Sequence, residues 1–282
     1  MPKIGIVTDN TCDIDPKQLE EMGIGCVSLY VKWKDKFEKA VDIDVDDFYE
    51  FLKTSDYIPA TSQPTPQDFE KVYRKMLKDY DELISVHLSG KLSGTYNSAK
   101  IAAKEVDEKR IHIVESYEAT WGLGYLVLEL KKLIDSGDYS VEELKSFVEH
   151  FQEKVNVYFT VGSLNYLAKG GRIGKATAFV GSMLNIKPLL KLDNGEILPV
   201  KRIRGYNKII KELSTLAMEE NGKGELKNIT VEHTGSLKLG GDLLDEVVKL
   251  GIPREKIIFE PMDIIIGMHL GPDSGGIVTT WE

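Results

Sequence analysis

Leu83-Ile84-Ser85-Val86-His87-Leu88-Ser89-Gly90-Lys91-Leu92-Ser93-Gly94-Thr95-Tyr96-Asn97-Ser98-Ala99 reads as a short apolar strand, a loop rich in glycine and hydroxyl side chains, and the start of a helix. At such a junction the first helical N–H groups are unpaired and the peptide dipoles sum to partial positive charge. The loop can therefore receive a phosphate or carboxylate, with Ser93 and Thr95 adding hydroxyl donors. Two more specialised readings fail on spacing. A P-loop needs Ser or Thr after Gly-Lys and a glycine five positions earlier, whereas Gly90-Lys91 is followed by Leu92 and lacks that glycine. A nucleophile elbow needs glycines two positions either side of Ser93, where Lys91 and Thr95 stand. The residues themselves leave two readings open: an anion site, or an ordinary strand-to-helix turn with Ser93 or Thr95 as N-cap.

Upstream, Lys3 to Thr8 is a strand, and the polar run from Asp9 leads to Asp15 and Pro16, N-cap and N1 of a helix closed by Gly23. Ile24 to Val31 is the next strand, and the acidic run Asp42 to Asp47 opens a helix with Phe48, Phe51 and Leu52 on its apolar face. Ala60-Thr61-Ser62-Gln63-Pro64-Thr65-Pro66 is a hydroxyl-rich loop before a helix capped by Thr65, with Phe69, Val72, Tyr73, Met76 and Leu77 on one side. Downstream, the helix Tyr96 to Val106, the strand Arg110 to Val114, and helices at Gly122 to Asp135 and Val141 to Glu153 continue the alternation. This pattern predicts a doubly wound parallel sheet with ligands at the carboxyl ends of its strands, where all the loops singled out lie.

Past Val155 the grammar changes. Strands at Ile186 to Leu192 and Ile197 to Arg202 flank Asp193-Asn194-Gly195-Glu196, a hairpin signal. Helices are expected at Lys175 to Met183, Gly205 to Met218 and Leu237 to Leu250, with further strands at Asn228 to His233, Lys256 to Glu260 and Gly276 to Trp281. The expected fold class is α/β: a parallel α/β domain over 1–155 and an α+β domain with an antiparallel sheet over 156–282.

Composition narrows the functional classes. Two cysteines, Cys12 and Cys26, and five scattered histidines offer no metal-ligand spacing and no disulfide framework, so neither is expected. A net charge of -9 argues against nucleic acid as a partner. Charge is uneven, however: from Lys169 to Lys211 ten Lys or Arg face two acids, a local +8 that leaves -17 elsewhere. That basic stretch is either a solvated face or a docking surface for an acidic protein or phosphorylated ligand. With no signal peptide and no membrane span in view, the expected location is the cytoplasm.

Six motifs in order carry a resemblance: Thr8-Asp9-Asn10-Thr11; Thr61-Ser62-Gln63-Pro64-Thr65-Pro66; Leu92-Ser93-Gly94-Thr95-Tyr96-Asn97-Ser98-Ala99; Gly170-Gly171-Arg172-Ile173; Ile186-Lys187-Pro188-Leu189; and His269-Leu270-Gly271-Pro272. On these the chain resembles the DegV family of bacterial lipid-binding proteins over nearly its full length. The resemblance implies two domains that enclose one long-chain fatty acid in a buried tunnel, without a cofactor. It implies a carrier, not an enzyme, which presents the acid's carboxylate to a separate fatty acid kinase for acyl phosphate formation and phospholipid synthesis. The carboxylate is then expected on Thr61, Ser93 and His269, with Ser62, Gly94 and Thr95 beside them, and Arg172 and Arg202 are expected to meet the kinase or a phosphate. Two departures from the family pattern stand out: Glu115 before Ser116 where Asp is usual, and Gly271-Pro272-Asp273-Ser274-Gly275 where Gly-Pro-Gly is usual.

The chemistry is plausible on its own terms. A tail of a dozen or more methylenes gains about 0.8 kcal/mol for each one buried, so roughly 10 kcal/mol drives binding before ordering costs. The head-group then needs only hydrogen bonds, which hydroxyls and N–H groups supply. One rival is an acyl ester hydrolase or acyltransferase with Ser93 as nucleophile and His269 as base, which lacks an assignable acid and oxyanion hole. Another is a phosphosugar or dihydroxyacetone-type carrier.

Overall fold

The protein is described here by a computed structural model covering residues 2–179, 186–219 and 224–282. Two compact units emerge: the first runs to Ile43 and resumes from Ala60 to Gln152, and the second comprises Asp44–Pro59 and Glu153–Glu282. The chain thus passes between units three times. The excursion has a physical cause. Its helix Val45–Thr54 is apolar on one side through Phe48, Tyr49 and Leu52, all buried. Tyr49 Oη donates to the Met262 carbonyl at 2.9 Å, and its ring covers Gly235 and Gly267, whose missing side chains leave the room.

In the first unit β1 (Ile4–Asp9), β2 (Gly25–Val27), β6 (Glu82–His87) and β7 (Ile111–Glu115) form a parallel sheet in the order β2-β1-β6-β7, the expected doubly wound architecture. Val7, Val27 and Leu83 pack with Phe69, Tyr73 and Met76 of the helix Pro66–Met76 and with Ala99, Ala102 and Ala103 of the helix Thr95–Val106. Alanines at i, i+3 and i+4 let that second helix lie close to the strands.

The single strand expected from Ile24 to Val31 is two. After β2 the chain leaves the parallel sheet and forms β3 (Tyr30–Trp33), which pairs antiparallel with β4 (Lys36–Lys39) and with β5 (Ala60–Ser62). The break is held by Asn10, whose side-chain oxygen accepts the Leu29 N–H at 2.7 Å. Beyond it Val31 and Trp33 are buried while Lys32 and Lys34 are exposed, the alternation of a strand on a new face. Thr61 and Ser62, expected in a loop, lie on β5 opposite Val31 and Tyr30.

The second unit holds a six-stranded sheet of β8 (Val155–Thr160), β9 (Ile186–Asp193), β10 (Glu196–Arg204), β11 (Leu226–His233), β12 (Ile257–Pro261) and β13 (Gly275–Trp281), in the order β10-β9-β8-β13-β11-β12. All neighbours are antiparallel except β11 and β12. The Asn194-Gly195 hairpin stands as expected, both residues at positive φ. Helices Tyr206–Ala217 and Leu237–Lys249 bury Ile209, Leu213, Leu239, Leu243 and Val247 with Ile229, Val231 and Ile277 of the sheet. The helix expected from Lys175 to Met183 is a 3-10 turn over Gly174–Phe179 as far as it can be followed, and its remainder from 180 lies outside the described residues.

Candidate functional site

Three loops leave the carboxyl edge of the parallel sheet, after β1, β6 and β7, and a chain of buried polar groups ties them together. Tyr73 Oη meets Ser85 Oγ at 2.8 Å, Ser85 Oγ meets His87 Nε2 at 2.6 Å, and His87 Nδ1 meets Asp9 Oδ2 at 3.2 Å. All four side chains are fully buried. With the His87 Nδ1–H on the carboxylate, Nε2 accepts from Ser85, and Ser85 in turn accepts from Tyr73. Burial raises the Tyr73 pKa, so the phenol stays protonated as a donor. Asp9 also accepts the Leu88 N–H at 3.0 Å and the Thr11 N–H at 3.0 Å. The carboxylate thereby fixes the first residue of the β6 loop and the second of the β1 loop.

The β7 loop completes the anchoring. Ser116 Oγ donates to the His87 carbonyl at 2.5 Å, the Ser89 N–H donates to the Glu118 carbonyl at 2.8 Å, and Glu115 accepts the Gly90 N–H at 3.1 Å. Glutamate at 115 thus has the reach to engage the loop, and a Cβ at Gly90 would lie 2.7 Å from Glu115 Oε2, so a larger residue there would require that carboxylate to shift. One consequence corrects the simplest anion-loop picture: the Gly90 N–H already serves an internal carboxylate. Positive φ at Asp13, Tyr117 and Thr120 places three non-glycine residues in the left-handed region along this same edge, a concentration of strain typical of functional loops.

Ser93, Gly94 and Thr95 stand at the start of the helix Thr95–Val106, with Gly94 as an N-cap that offers no side-chain bond. Ser93 Oγ and Thr95 Oγ1 lie 2.9 Å apart, and Ser93 Oγ accepts the Thr95 N–H at 3.3 Å. Thr95 is fully buried, so its hydroxyl hydrogen goes to Ser93. Ser93 Oγ then accepts twice and its own hydrogen is left to donate. Here the structure brings in a residue that sequence reasoning left unassigned. Gln63, next to Thr61 and Ser62, donates from Nε2 to Ser98 Oγ at 2.9 Å, and its amide lies directly over Gly94. Thr61 and Ser62 are half-buried, and Ser62 Oγ donates to the Gln63 carbonyl at 3.3 Å.

In the second unit His269 sits in the last turn of the helix Ile264–Leu270, started by Asp263 accepting the Ile265 N–H at 2.8 Å. Its Nδ1 lies where a Cβ on Gly170 would fall 2.3 Å away, which gives the Gly170-Gly171-Arg172 turn its first glycine. The second glycine is needed for conformation, φ +73°. Arg172 Nη1 donates to the Gly170 carbonyl at 2.5 Å. Burial, aided by the Arg172 charge, lowers the His269 pKa to about 4, so the imidazole is neutral at physiological pH. The turn after it, Gly271-Pro272-Asp273-Ser274-Gly275, is held by a buried knot: Thr234 Oγ1 donates to the Gly271 carbonyl at 2.8 Å, the Ser274 N–H donates to Thr234 Oγ1 at 3.1 Å, and Ser274 Oγ donates to the Leu270 carbonyl at 3.0 Å. Asp273, at φ +56° and exposed, accepts from Ser236 Oγ at 3.4 Å.

Arg202 lies on β10, exposed; its guanidinium donates to the Ala178 carbonyl and stacks 5.0 Å from the Phe179 ring. Part of the basic run is neutralised locally, Lys175 by Glu196 at 3.1 Å and Lys201 by Glu212 at 2.8 Å. No helix among the described residues is long and apolar enough to cross a membrane.

A parallel α/β unit with neutral donors on its strand-end loops, joined to a mixed α+β unit with a neutral histidine behind a paired-glycine turn, defines a class of two-unit α/β proteins. Within that class the chain belongs to the DegV family, whose model, described as an uncharacterised protein of the DegV family, matches residues 3–281. It is 32% identical over 275 residues to Protein DegV of Bacillus subtilis, covering 97% of this chain and 98% of that one. It is also 32% identical over 279 residues to a fatty acid-binding protein of Thermotoga maritima, covering 97% and 96%. A solved structure of a DegV family protein from Thermus thermophilus, described for its fatty acid binding, superposes with a TM-score of 0.90 at 33% identity, covering 99% of this chain and all of that one.

Proposed function

We propose that this protein binds a long-chain fatty acid by its tail and holds the carboxylate with neutral donors: the hydroxyls of Thr61, Ser62, Ser93 and Thr95, the Gly94 backbone and the His269 imidazole. The observation that carries the reading is the Ser93–Thr95 pair, 2.9 Å apart at a helix start, with one hydroxyl hydrogen left to donate outward. A hydroxyl with both acceptor positions filled is a donor waiting for an anion. It is also a poor nucleophile, which argues against the hydrolase alternative through Ser93. The relatives described as fatty acid-binding support the ligand class. Neutral donors release a carboxylate more readily than a paired cation does, as a carrier requires.

We further read the protein as a non-enzymatic cytoplasmic partner that presents the bound acid to a fatty acid kinase, with Arg172 and Arg202 toward that partner. Arg202 supports this best, being exposed yet held in place on Ala178 and Phe179. Protein purified from a bacterial host should carry fatty acid, identified by solvent extraction and mass spectrometry. Ser93→Ala with Thr61→Ala should weaken palmitate binding, while Arg202→Ala should leave binding intact and slow kinase-dependent phosphorylation. Preparations free of fatty acid that also fail to bind added palmitate or oleate, yet are stabilised by phosphosugars, refute the ligand assignment.

A further inference from the structure

Gly94 presents a puzzle that its own backbone does not solve. Its φ of -74° is open to any residue, and the N-cap position favours Ser, Thr, Asp or Asn, whose side chains bond the helix start. The glycine supplies no such bond. What it supplies is space: a Cβ here would lie 1.8 Å from Gln63 Oε1, 2.6 Å from Cδ and 2.8 Å from Nε2, so the whole Gln63 amide occupies the place a side chain would take. From there Gln63 Nε2 donates to Ser98 Oγ, which is itself 2% exposed on the inner side of the helix.

Resting on the fatty-acid reading above, we infer that Gln63 is the positioning residue of the carboxylate cradle. It links the strand end bearing Thr61 and Ser62 to the helix start bearing Ser93, Gly94 and Thr95, and it sets the spacing of the two donor groups. Two sets of donors recognise a planar carboxylate only when their separation is held to a few tenths of an ångström; a single hydroxyl ligand makes fewer simultaneous demands. Gln63 itself need not touch the ligand. Its removal is expected to act on carboxylates and to spare tail binding.

The test is the affinity of the full-length protein for palmitate and for 1-hexadecanol, measured for the wild type, Gln63→Ala, Gly94→Ala and the double variant. Gln63→Ala should weaken palmitate about tenfold, the effect of a lost charge-assisted bond, and change hexadecanol less than about twofold. Gly94→Ala should weaken palmitate by a similar factor when Gln63 is present, and by less than about twofold when it is absent, because no amide is left to displace. Unchanged palmitate affinity in Gln63→Ala overturns the inference. So does an equal loss for both ligands, or a Gly94→Ala effect of the same size in both backgrounds. Wild-type protein that binds neither ligand overturns the fatty-acid reading and this inference with it, an outcome distinct from wild-type binding with indifferent variants.

Discussion

Substituting Gly170 by alanine isolates the contribution of His269 without touching it. Gly170 has φ -71° and ψ -13°, a conformation alanine adopts freely, so the backbone supplies no penalty. The added methyl, however, would sit 2.3 Å from His269 Nδ1 and 3.0 Å from its Cε1. Ordinary contact needs about 3.5 Å, so the ring must retreat by roughly 1 Å. A hydrogen bond of about 2.9 Å lengthened by that much is no longer one. If the imidazole donates to a fatty acid carboxylate, the loss is that of a bond to a charged group, about 1.5–3 kcal/mol, or roughly ten- to a hundredfold in Kd. Stability should fall less, since alanine's better helix propensity at this helix end offsets part of the crowding. Titration calorimetry with palmitate reads the first quantity and thermal unfolding the second. The decisive comparison is with His269→Ala: Gly170→Ala should weaken binding about as much, and adding it to His269→Ala should change nothing more. Wild-type affinity in Gly170→Ala, or full additivity with His269→Ala, refutes the placement of His269 as a ligand donor.

Because the His269 pKa is about 4 when folded and near 6.5 when unfolded, the unfolded chain binds the extra proton between those values. Stability should therefore rise with pH from about 4 to 6.5 by an amount on the order of 3 kcal/mol, and His269→Gln should flatten that limb; an unchanged slope in the variant counts against the lowered pKa. The same neutrality predicts that His269→Gln, a neutral donor, keeps palmitate affinity within about threefold at pH 7 while His269→Ala does not, which calorimetry distinguishes. Asp9→Asn turns an amide N–H₂ toward the donors Leu88 N–H or His87 Nδ1–H in a fully buried site, so unfolding in urea should show a loss of about 3 kcal/mol, and a loss under 1 would mean the network is not cooperative. Gly271→Ala combines φ +79° and ψ 176° with a methyl 2.3 Å from the Tyr166 ring, and circular dichroism should show a thermal midpoint lowered by about 5 °C or more.

The parallel sheet was legible because each of its strands is a short apolar run followed by a polar loop and a capped helix, a period visible without tertiary information. The Tyr30–Lys39 hairpin was not, because its turn residues Lys34 and Asp35 take φ of 44° and 61° with no glycine to announce it. The helix carrying His269 is seven residues long and three of its first residues are isoleucine, so its periodicity reads equally as a strand. Ser93, Thr61 and His269 were reached through motifs, yet what positions them was invisible along the chain. Gln63 meets Gly94 across 31 positions and Gly170 meets His269 across 99, and each glycine has an ordinary φ. A glycine retained for space leaves no local signature; only the atom that fills the space shows why it is there.

The buried Asp9–His87–Ser85 series has the composition of a hydrolase triad, and its surroundings explain why it does not act as one. Ser85 is fully buried in the middle of β6, with its oxygen engaged by both His87 and Tyr73, so no ester carbonyl reaches it. Ser93 is the reachable serine, but its hydroxyl partner is Thr95 and not an imidazole. A base without an accessible nucleophile and an accessible hydroxyl without a base divide the triad's parts between two places. The first place then serves rigidity: Asp9 spans the β1 and β6 loops, and its charge is satisfied by four donors when Thr11 Oγ1 is counted. On the proposed function the second place serves recognition, where an unactivated hydroxyl would hold an acyl carboxylate without attacking it. Under the proposed function, any covalent change to that carboxylate would fall to another protein.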